Sequence, residues 1–369
     1  MAALALVAVT VLAAIAVAAV RFPIGTRLRS EVARDAHRTW PRPAFGKEVE
    51  GVFSTLAAPG LPQLEWHPDG FGCVALSKRG AGPIDDGCRG WVANHWPATA
   101  IVLAATHARL GSWDIRTLED QGDATEGTIL AAWVASVHML LDLEHHDSSA
   151  AVNTCLETLA LGRDDIVTGT ITGTSMGTGV VREAFPTCAH VLDAAPDKLG
   201  PSRAIGAIET GLPPVSSMFH TEALCSATYL QAQLKSGWSP RAFFYVYALL
   251  EGMTSMEADA RVADEPEPAR SADIQRNDGF LSKLSDHTYG TTVDFVHRDE
   301  AMRARLHFLR ELGEIEEAQA RTGTWPAVPA PLTLTADDPS SPIATLRDSS
   351  LPFAPLEVAL HGAEHSPTR

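Results

Sequence analysis

Apolar residues in the middle of the chain recur with the period of an α-helix, and this pattern constrains the fold more than any other feature. The stretch EGTILAAWVASVHMLLDLEHHD, residues 126–147, repeats them at intervals of three and four: Leu130, Trp133, Val134, Val137, Leu140 and Leu141. This spacing is typical of one buried helix face. A second segment, residues 148–162, keeps the period after a short polar turn. Together the two segments predict an antiparallel helical hairpin.

Four later segments extend the helical prediction: residues 165–192 with a break near Pro186, residues 216–234, residues 241–256 and residues 300–322. We therefore predict a mainly α fold, in which an array of antiparallel helical hairpins fills residues 100–260. Residues 261–299 are polar and contain proline, which predicts a linker or long loop before the amphipathic helix 300–322.

Two regions show no sustained period. Residues 21–99 hold glycine, proline and aromatic residues around Cys73 and Cys88, which predicts a juxtamembrane stretch followed by a Cys-containing, loop-rich region. Residues 323–369 are rich in proline, serine and aspartate, which predicts an irregular C-terminal tail with one short strand in PLTLTA.

The first twenty residues, MAALALVAVTVLAAIAVAAV, carry no charged side chain. About 20 apolar residues in a helix suffice to span the hydrocarbon core of a bilayer. Ala16-Val17-Ala18 also satisfies the small-x-small pattern of a signal-peptidase site, so a cleaved signal peptide stays open. The apolar run is longer than the usual core of a signal peptide, which favours a retained transmembrane anchor over residues 1–20.

Two features disagree about which side of the membrane holds the body. Five arginines follow the apolar segment and no Lys or Arg precedes it, which by the positive-inside rule keeps the body in the cytoplasm. Cys73 and Cys88, by contrast, are spaced so that a disulfide would stabilise the chain by about 3 kcal/mol in an oxidising compartment. We predict this disulfide and an extracytoplasmic body in a bacterial cell envelope. A second disulfide between Cys188 and Cys225 is compatible with export.

Overall charge narrows the range of partners. The chain has a net charge of -16, with 45% hydrophobic and 20% charged residues, which are ordinary globular proportions. Nucleic-acid binding needs clustered Lys and Arg, so no nucleic-acid partner is predicted, and a phosphate-bearing partner is not expected.

The segment GTSMGTG, residues 173–179, resembles the nucleophile motif of subtilisin-like proteases. A serine of that kind needs a general base and an orienting Asp, which precede it in the chain order Asp, His, Ser. The upstream candidates are Asp85, Asp86 and His107. However, His107 lacks the glycine that follows in that family, and no proline comes shortly after Ser175.

The same segment also has a purely structural interpretation. Gly169, Gly173 and Gly177 recur at a spacing of four and would form a stripe of small residues on one helix face. Such a stripe lets a neighbouring helix approach closely. We favour this interpretation and predict no catalytic residue.

The cluster HMLLDLEHHD offers metal-ligand candidates, because His138, Asp142 and either His145 or His146 are about one helical turn apart. Polar residues also gather at a helix end for solvation and capping, and we favour that explanation. The chain contains no CxxC pair, no phosphate-binding GxxxxGK[ST] and no HExxH. No metal and no cofactor are therefore predicted.

Three segments resemble a broad group of planctomycete-type bacterial proteins: LLDLEHHDSSAAVNTCLETLALGRD, LHFLRELGEIEEAQARTG and TGTWPAVPAPLTLTADDPSSP. In that group a Gly-x-aromatic-Pro stop after a long helix precedes an Asp-Pro segment, a layout similar to the ends of pseudopilins. The matching residues here are Gly323, Trp325, Pro326, Asp338 and Pro339. The resemblance implies a membrane-anchored body of helical hairpins with a short C-terminal module, and it supplies no catalytic residues.

These observations predict a partner-binding or scaffold protein of the cell envelope, with an exposed apolar or acidic groove on its body. The alternative is an envelope hydrolase that uses Ser175, or a metalloenzyme that uses the cluster of His138, Asp142, His145 and His146. A purely structural protein is the third hypothesis. We rank binding above catalysis, because nothing in the sequence brings a nucleophile, a base and an oxyanion donor together.

Overall fold

The computed structural model describes residues 40–42, 68–113, 127–195, 199–236, 256–265, 292–338, 343–350 and 355–361, together with Thr26 and Ser30. These residues form a mainly helical protein with two disulfides. None of the helices in these ranges combines the length and the apolar character that a bilayer crossing requires. The predicted anchor, residues 1–20, and residues 241–255 of the predicted helix 241–256 lie outside the described residues.

Most of the described elements are helices. In chain order they are β1 (Trp40–Arg42), α1 (Pro68–Arg79), α2 (Asp86–Ala105), β2 (Gly111–Trp113), α3 (Thr128–Glu144), α4 (Ser148–Ile166), α5 (Ile171–Ala194), α6 (Leu199–Thr210), α7 (Ser216–Ser236), α8 (Thr292–Thr322), β3 (Leu332–Ala336), β4 (Ile343–Asp348) and β5 (Leu356–His361). A short helical segment also covers residues 256–262. Strands β1 and β2 pair antiparallel.

Residues 68–79 and 86–99 are helical, so the prediction of a loop-rich region around Cys73 and Cys88 is wrong over these residues. A disulfide joins the two cysteines and ties α1 to α2. Asp85 caps the start of α2, because its side chain accepts a hydrogen bond from the Cys88 backbone N–H at 2.7 Å. Only the turn between the helices needs glycine: Gly80 and Gly82 there have positive φ, and the other glycines of this region lie within helices.

Helix α5 lies at the centre of the body and packs against α1, α3, α4 and α8. The predicted break near Pro186 is wrong, since α5 continues through that residue. The chain breaks earlier, where Gly169 adopts a φ of 69° and Thr170 caps α5 by accepting a hydrogen bond from the Gly173 N–H at 2.9 Å. A glycine with positive φ followed by a threonine N-cap explains the end of one helix and the start of the next.

Helices α4 and α5 approach closely through glycines, as the structural interpretation of GTSMGTG predicts. A Cβ atom on Gly177 would lie 2.3 Å from the Gly162 carbonyl oxygen, and one on Gly173 would lie 2.6 Å from the Asp165 carbonyl oxygen. Both distances are shorter than real contacts, so only glycine allows this packing. The segment therefore serves the contact between two helices.

A second disulfide joins Cys155 on α4 to Cys188 on α5. The hypothesis of a Cys188 to Cys225 disulfide is therefore wrong, and Cys225 belongs to neither bridge. Cys155 and Cys188 are fully buried on the facing sides of two packed helices, so close packing of α4 on α5 decides the pairing.

Helix α8 begins at Thr292, eight residues before the predicted helix 300–322. Part of the predicted linker 261–299 is therefore helical. Phe295 and Val296 explain the earlier start, because they are buried with Met218 and Phe219 of α7. Burial of these side chains stabilises the first turns of α8, although charged residues surround them in the sequence. Residues 266–291 lie outside the described residues.

The C-terminal region forms an antiparallel sheet in the order β3-β4-β5, so the prediction of an irregular tail is wrong for residues 332–336, 343–348 and 356–361. The short strand predicted in PLTLTA is β3. Alternate residues such as Leu332, Leu346 and Leu360 join the core formed by α5 and α8. At the end of β5 the backbone N–H of His361 donates to Asp193 of α5 at 2.8 Å, which fixes the sheet to the helical body.

Candidate functional site

A half-open groove of about 590 Å³ lies between α5 and α8. Three arginines line it: Arg182 from α5, and Arg298 and Arg305 from α8. His297 and Asp294 of α8 complete its charged and polar wall. We call this feature the arginine groove. The three arginines outnumber the one aspartate, so the lining is positive although the chain carries a net charge of -16.

Helical periodicity brings the lining residues to one surface. On α5 the groove residues Ser175, Thr178 and Arg182 follow each other at intervals of three and four. On α8 the same intervals connect Asp294, His297, Arg298, Ala301 and Arg305, the last after four more residues. Residues spaced in this way lie on one helix face. The groove is thus formed where the two faces meet along packed helices.

A buried carboxylate holds Arg182 in place. The Nε and Nη2 atoms of Arg182 donate to Glu183 Oε1 at 2.9 and 2.7 Å. The indole N–H of Trp133 donates to the other carboxylate oxygen of Glu183 at 3.0 Å. Glu183 is only 5% exposed, so its position is fixed by packing and by both partners. Arg182 itself stays largely exposed at the groove.

Arg305 lies closer to the interior than the other two arginines. Burial lowers its pKa, the neighbouring guanidinium of Arg182 lowers it further, and Glu183 acts in the opposite direction. An arginine remains charged under such shifts because its ordinary pKa lies far above neutral pH. Two positive charges are therefore held beside one buried carboxylate, and a bound anion would compensate the remaining charge.

Arg298 occupies the exposed part of the groove. Its guanidinium lies 5.5 Å from the centre of the Phe295 ring, within the range of a cation–π contact. Arg298 and Arg305 are seven residues apart, which is about 10 Å along a helix that advances about 1.5 Å per residue. The groove therefore has two basic ends, one with Arg182 and Arg305 and one with Arg298.

Ser175 is half-buried and lines the arginine groove, but its predicted catalytic partners lie elsewhere. Asp85 caps α2, and Asp86 lies in the first turn of that helix. His107 contacts Glu157 through Nε2 at 2.6 Å and lines a separate groove, of about 490 Å³, beside α4 and α6. The structure thus does not assemble the subtilisin-like triad that these residues would require.

The histidine cluster is only partly brought together. His138 Nδ1 lies 3.1 Å from Asp142 Oδ2, and the His138 ring stacks on Trp96 with centroids 3.4 Å apart. His145 and His146 are exposed at the end of α3. Within the described ranges, no three His, Cys, Asp or Glu side chains are arranged to hold a metal ion.

Sequence reasoning missed two adjacent buried acids at the end of α4. Burial raises the pKa of Asp164 to about 6, against the opposing effect of Arg163. Burial also raises the pKa of Asp165 well above its ordinary value; a hydrogen bond with Thr128 opposes this, and the charge of Asp164 adds to it. Neither carboxylate oxygen of Asp165 has a hydrogen bond of ordinary length. The pair lies at the contact between α4 and α5, apart from the groove lining, because Asp165 packs on Gly177.

Sequence reasoning also missed the arginine groove and predicted an apolar or acidic one. The spacing of Arg298 and Arg305 on one face of α8 was a usable signal. The contribution of Arg182 was not visible, since it depends on the packing of α5 against α8.

Comparison with family models, curated proteins and solved structures finds no match for this chain. The resemblance to planctomycete-type anchored proteins therefore stays a prediction, and the function has to be inferred from the groove itself.

Proposed function

We propose that this protein is a membrane-anchored binding protein of the cell envelope whose helical body binds an anionic ligand in the arginine groove. The convergence of Arg182, Arg298 and Arg305 on one half-open groove is the observation that carries the proposal. Its volume of about 590 Å³ falls in the range of about 300 to 1,000 Å³ that is usual for small-molecule sites.

Electrostatics favour binding over a purely structural role. Arg305 is partly desolvated beside Arg182, and Glu183, the carboxylate that contacts Arg182, compensates only one of the two positive charges. Arg310, by contrast, contacts the carboxylates of Glu209 and Glu311 at 2.7 and 2.9 Å. The acidic remainder of the chain repels anions, so anions are directed to the arginine groove.

The proposed location in the cell envelope rests on the N-terminal segment and the cysteines. Residues 1–20 are uncharged and long enough to anchor the chain in a bilayer. Two disulfides among five cysteines are typical of an oxidising compartment, which supports an extracytoplasmic body. Helices α3 and α4 pack against each other, and a turn of only three residues, 145–147, connects them. This supports the proposed hairpin arrangement of the body.

One observation supports the alternative of an envelope hydrolase, because Ser175 lines the same groove. A serine nucleophile needs a base within hydrogen-bond reach, and the base proposed from the sequence, His107, contacts Glu157 instead. We therefore expect no labelling of Ser175 by phenylmethylsulfonyl fluoride. Stoichiometric labelling at Ser175, located by peptide mass mapping, would favour the hydrolase.

The proposal is tested by the thermal unfolding of the full chain in a neutral detergent. We expect phenyl phosphate, benzoate or benzenesulfonate to raise the unfolding temperature, whereas neutral benzamide and cationic benzylamine have no effect. The increase should largely disappear in Arg305→Gln. Arg321→Gln is the matched control, because Arg321 is an exposed arginine at the C-terminal end of α8. An increase that survives unchanged in Arg305→Gln, or no increase with any anion, contradicts the proposal.

A further inference from the structure

We infer that the group held in the arginine groove is a phosphate monoester, with its phosphate at the end formed by Arg182 and Arg305 and its organic part extending toward Arg298. This inference rests on the proposed function, since it names the class of anion that the same groove takes. The phosphate is either that of a small soluble molecule or that of a lipid headgroup, because both present the same terminal oxygens.

The number of donors exceeds what a carboxylate accepts. Each guanidinium carries five N–H donors in a planar fork. Arg182 commits two of its N–H groups to Glu183, and the others remain for a ligand. A carboxylate offers two oxygens and one charge, whereas a phosphate monoester offers three terminal oxygens and between about 1.5 and 2 negative charges at pH 7. The two forks at one end therefore suit a phosphate better.

Charge alone does not distinguish a phosphate from a carboxylate at this end of the groove. Glu183 compensates one of the two positive charges of Arg182 and Arg305, so one negative charge from a ligand neutralises the remainder. The attraction for any anion is enhanced because Arg305 is partly removed from water, and charge interactions are stronger away from water. The choice of a phosphate therefore rests on the number of oxygens that accept from the two guanidinium groups.

The rest of the groove fits an organic substituent rather than a second phosphate. Ile129, Met176 and Ala301 contribute apolar side chains to the lining. Asp294 lies on the same wall and disfavours a second strongly anionic group near it. Ser175 adds a polar group, and Arg298 adds donors about 10 Å from Arg305 along α8, where hydroxyl or carbonyl oxygens of a substituent would accept hydrogen bonds.

The inference differs from the expectation, based on the net charge of -16, that the chain has no phosphate-bearing partner. Net charge governs long-range attraction and solubility, whereas recognition depends on the few groups within contact distance. The chain provides such a set on two helix faces while the remainder stays acidic. A single phosphate recognised in a groove also remains compatible with the prediction that no nucleic acid is bound.

Calorimetric titration of the full chain in a neutral detergent, at pH 8, tests the inference with three probes of the same shape: phenyl phosphate, benzenesulfonate and benzoate. We expect phenyl phosphate to bind more tightly than benzoate by about tenfold or more, because charge-assisted hydrogen bonds are gained. Benzenesulfonate has three oxygens and one charge, and should fall between them. Benzoate binding as tightly as phenyl phosphate overturns the inference and leaves the anion-binding proposal standing. Failure of all three probes overturns both.

Variants locate the phosphate within the groove. Arg305→Gln should reduce the affinity for phenyl phosphate about tenfold or more and bring it close to that for benzoate. Arg305→Lys keeps the charge but removes the planar fork, so it guards against a folding defect and should lose part of this affinity. Arg321→Gln should change nothing. An unchanged affinity in both Arg305 variants contradicts the placement.

The source of the phosphate is distinguished by vesicles. Full-length protein reconstituted in phosphatidylcholine with 10% phosphatidic acid should show reduced affinity for phenyl phosphate if the headgroup occupies the groove. An equal affinity with and without phosphatidic acid supports a soluble monoester. A reduction that persists in Arg305→Gln contradicts the inference, because the lipid would then act through another surface.

Discussion

At the scale of single residues, the burial of the adjacent acids Asp164 and Asp165 has the largest expected effect on stability. Their pKa values are raised in the folded protein because burial disfavours the charged form. The folded state therefore binds more protons than the unfolded state between the unfolded and folded pKa values. Stability is greatest below the unfolded pKa of about 4 and falls as the pH rises.

This sign gives a pH dependence opposite to that of salt-bridged acids. For Asp164 the fall lies between pH about 4 and about 6, and a shift of that size corresponds to roughly 3 kcal/mol. We expect urea unfolding of the full chain to show lower stability at pH 7 than at pH 5. Stability that rises steadily over this interval would contradict the raised pKa values.

Replacing Asp165 with Asn tests the same feature at one residue. Asp165→Asn removes the charge that burial disfavours and keeps the shape, so it should stabilise the protein at pH 7 by about 1 to 3 kcal/mol. The gain should shrink at pH 5, where the carboxyl of the parent protein is more readily protonated. Asp337→Asn is the control, because Asp337 is exposed. If Asp165→Asn stabilises the protein no more than Asp337→Asn does, the buried charge does not lower the stability.

At the scale of elements, the pair α4 and α5 organises the body through glycine contacts and a disulfide. The contacts of Gly173 and Gly177 were predictable, because their spacing of four places them on one helix face. The third glycine of the predicted stripe, Gly169, lies instead in the turn before α5 at a φ of 69°. The pairing of Cys155 with Cys188 was not predictable, since it depends on which helices pack together. The Cys73 to Cys88 pair is closer in sequence, and loop closure over a short distance already favoured it.

Gly177→Ala tests the close approach of α4 and α5. The added Cβ would lie 2.3 Å from the Gly162 carbonyl oxygen, so the helices must separate, at an expected cost of about 1 to 3 kcal/mol. Gly90→Ala is the matched control, since nothing lies within 4 Å of its Cβ position in α2. That change should stabilise the protein by about 0.5 to 1 kcal/mol, as alanine does in a helix. Equal effects of the two changes in urea unfolding would contradict the packing.

Removal of the second disulfide tests how much it contributes to the stability of the protein. The double variant Cys155→Ala with Cys188→Ala should lose about 4 kcal/mol of stability, because the bridge closes a long loop in the unfolded chain. The matched variant at Cys73 and Cys88 should lose about 3 kcal/mol, since that loop is shorter. Non-reducing mass mapping of the parent protein is the companion measurement, and a Cys188 to Cys225 peptide there would contradict the assignment.

The C-terminal sheet shows why only one of its three strands was predicted from the sequence. Strand β4 alternates buried and exposed residues, but it is six residues long and lies among proline, serine and aspartate. Short strands give a weak local signal, and their stability here comes from pairing and from the contact of β5 with α5. Helix α8 began earlier than predicted for a similar reason, since tertiary burial of Phe295 outweighed its charged neighbours.

At the scale of the whole molecule, the arginine groove arises from segments far apart in the chain. Arg182 and Arg305 are separated by more than one hundred residues and meet because α8 packs against α5. Sequence patterns assign faces to helices but do not say which faces meet, so the sequence indicated the face with Arg298 and Arg305 but not the groove itself. Net charge did not indicate the groove either, because it is a sum over the whole chain, whereas three arginines line the groove.

The most direct test of the central claim, that the arginine groove binds an anion, is a crystal structure of the protein with phenyl phosphate. We expect the phosphate to lie between the guanidinium groups of Arg182 and Arg305, with its oxygens about 2.7 to 2.9 Å from their nitrogens. The phenyl ring should lie along the groove toward Arg298. Phosphate bound only outside the groove, or an empty groove at saturating phenyl phosphate, would contradict the claim.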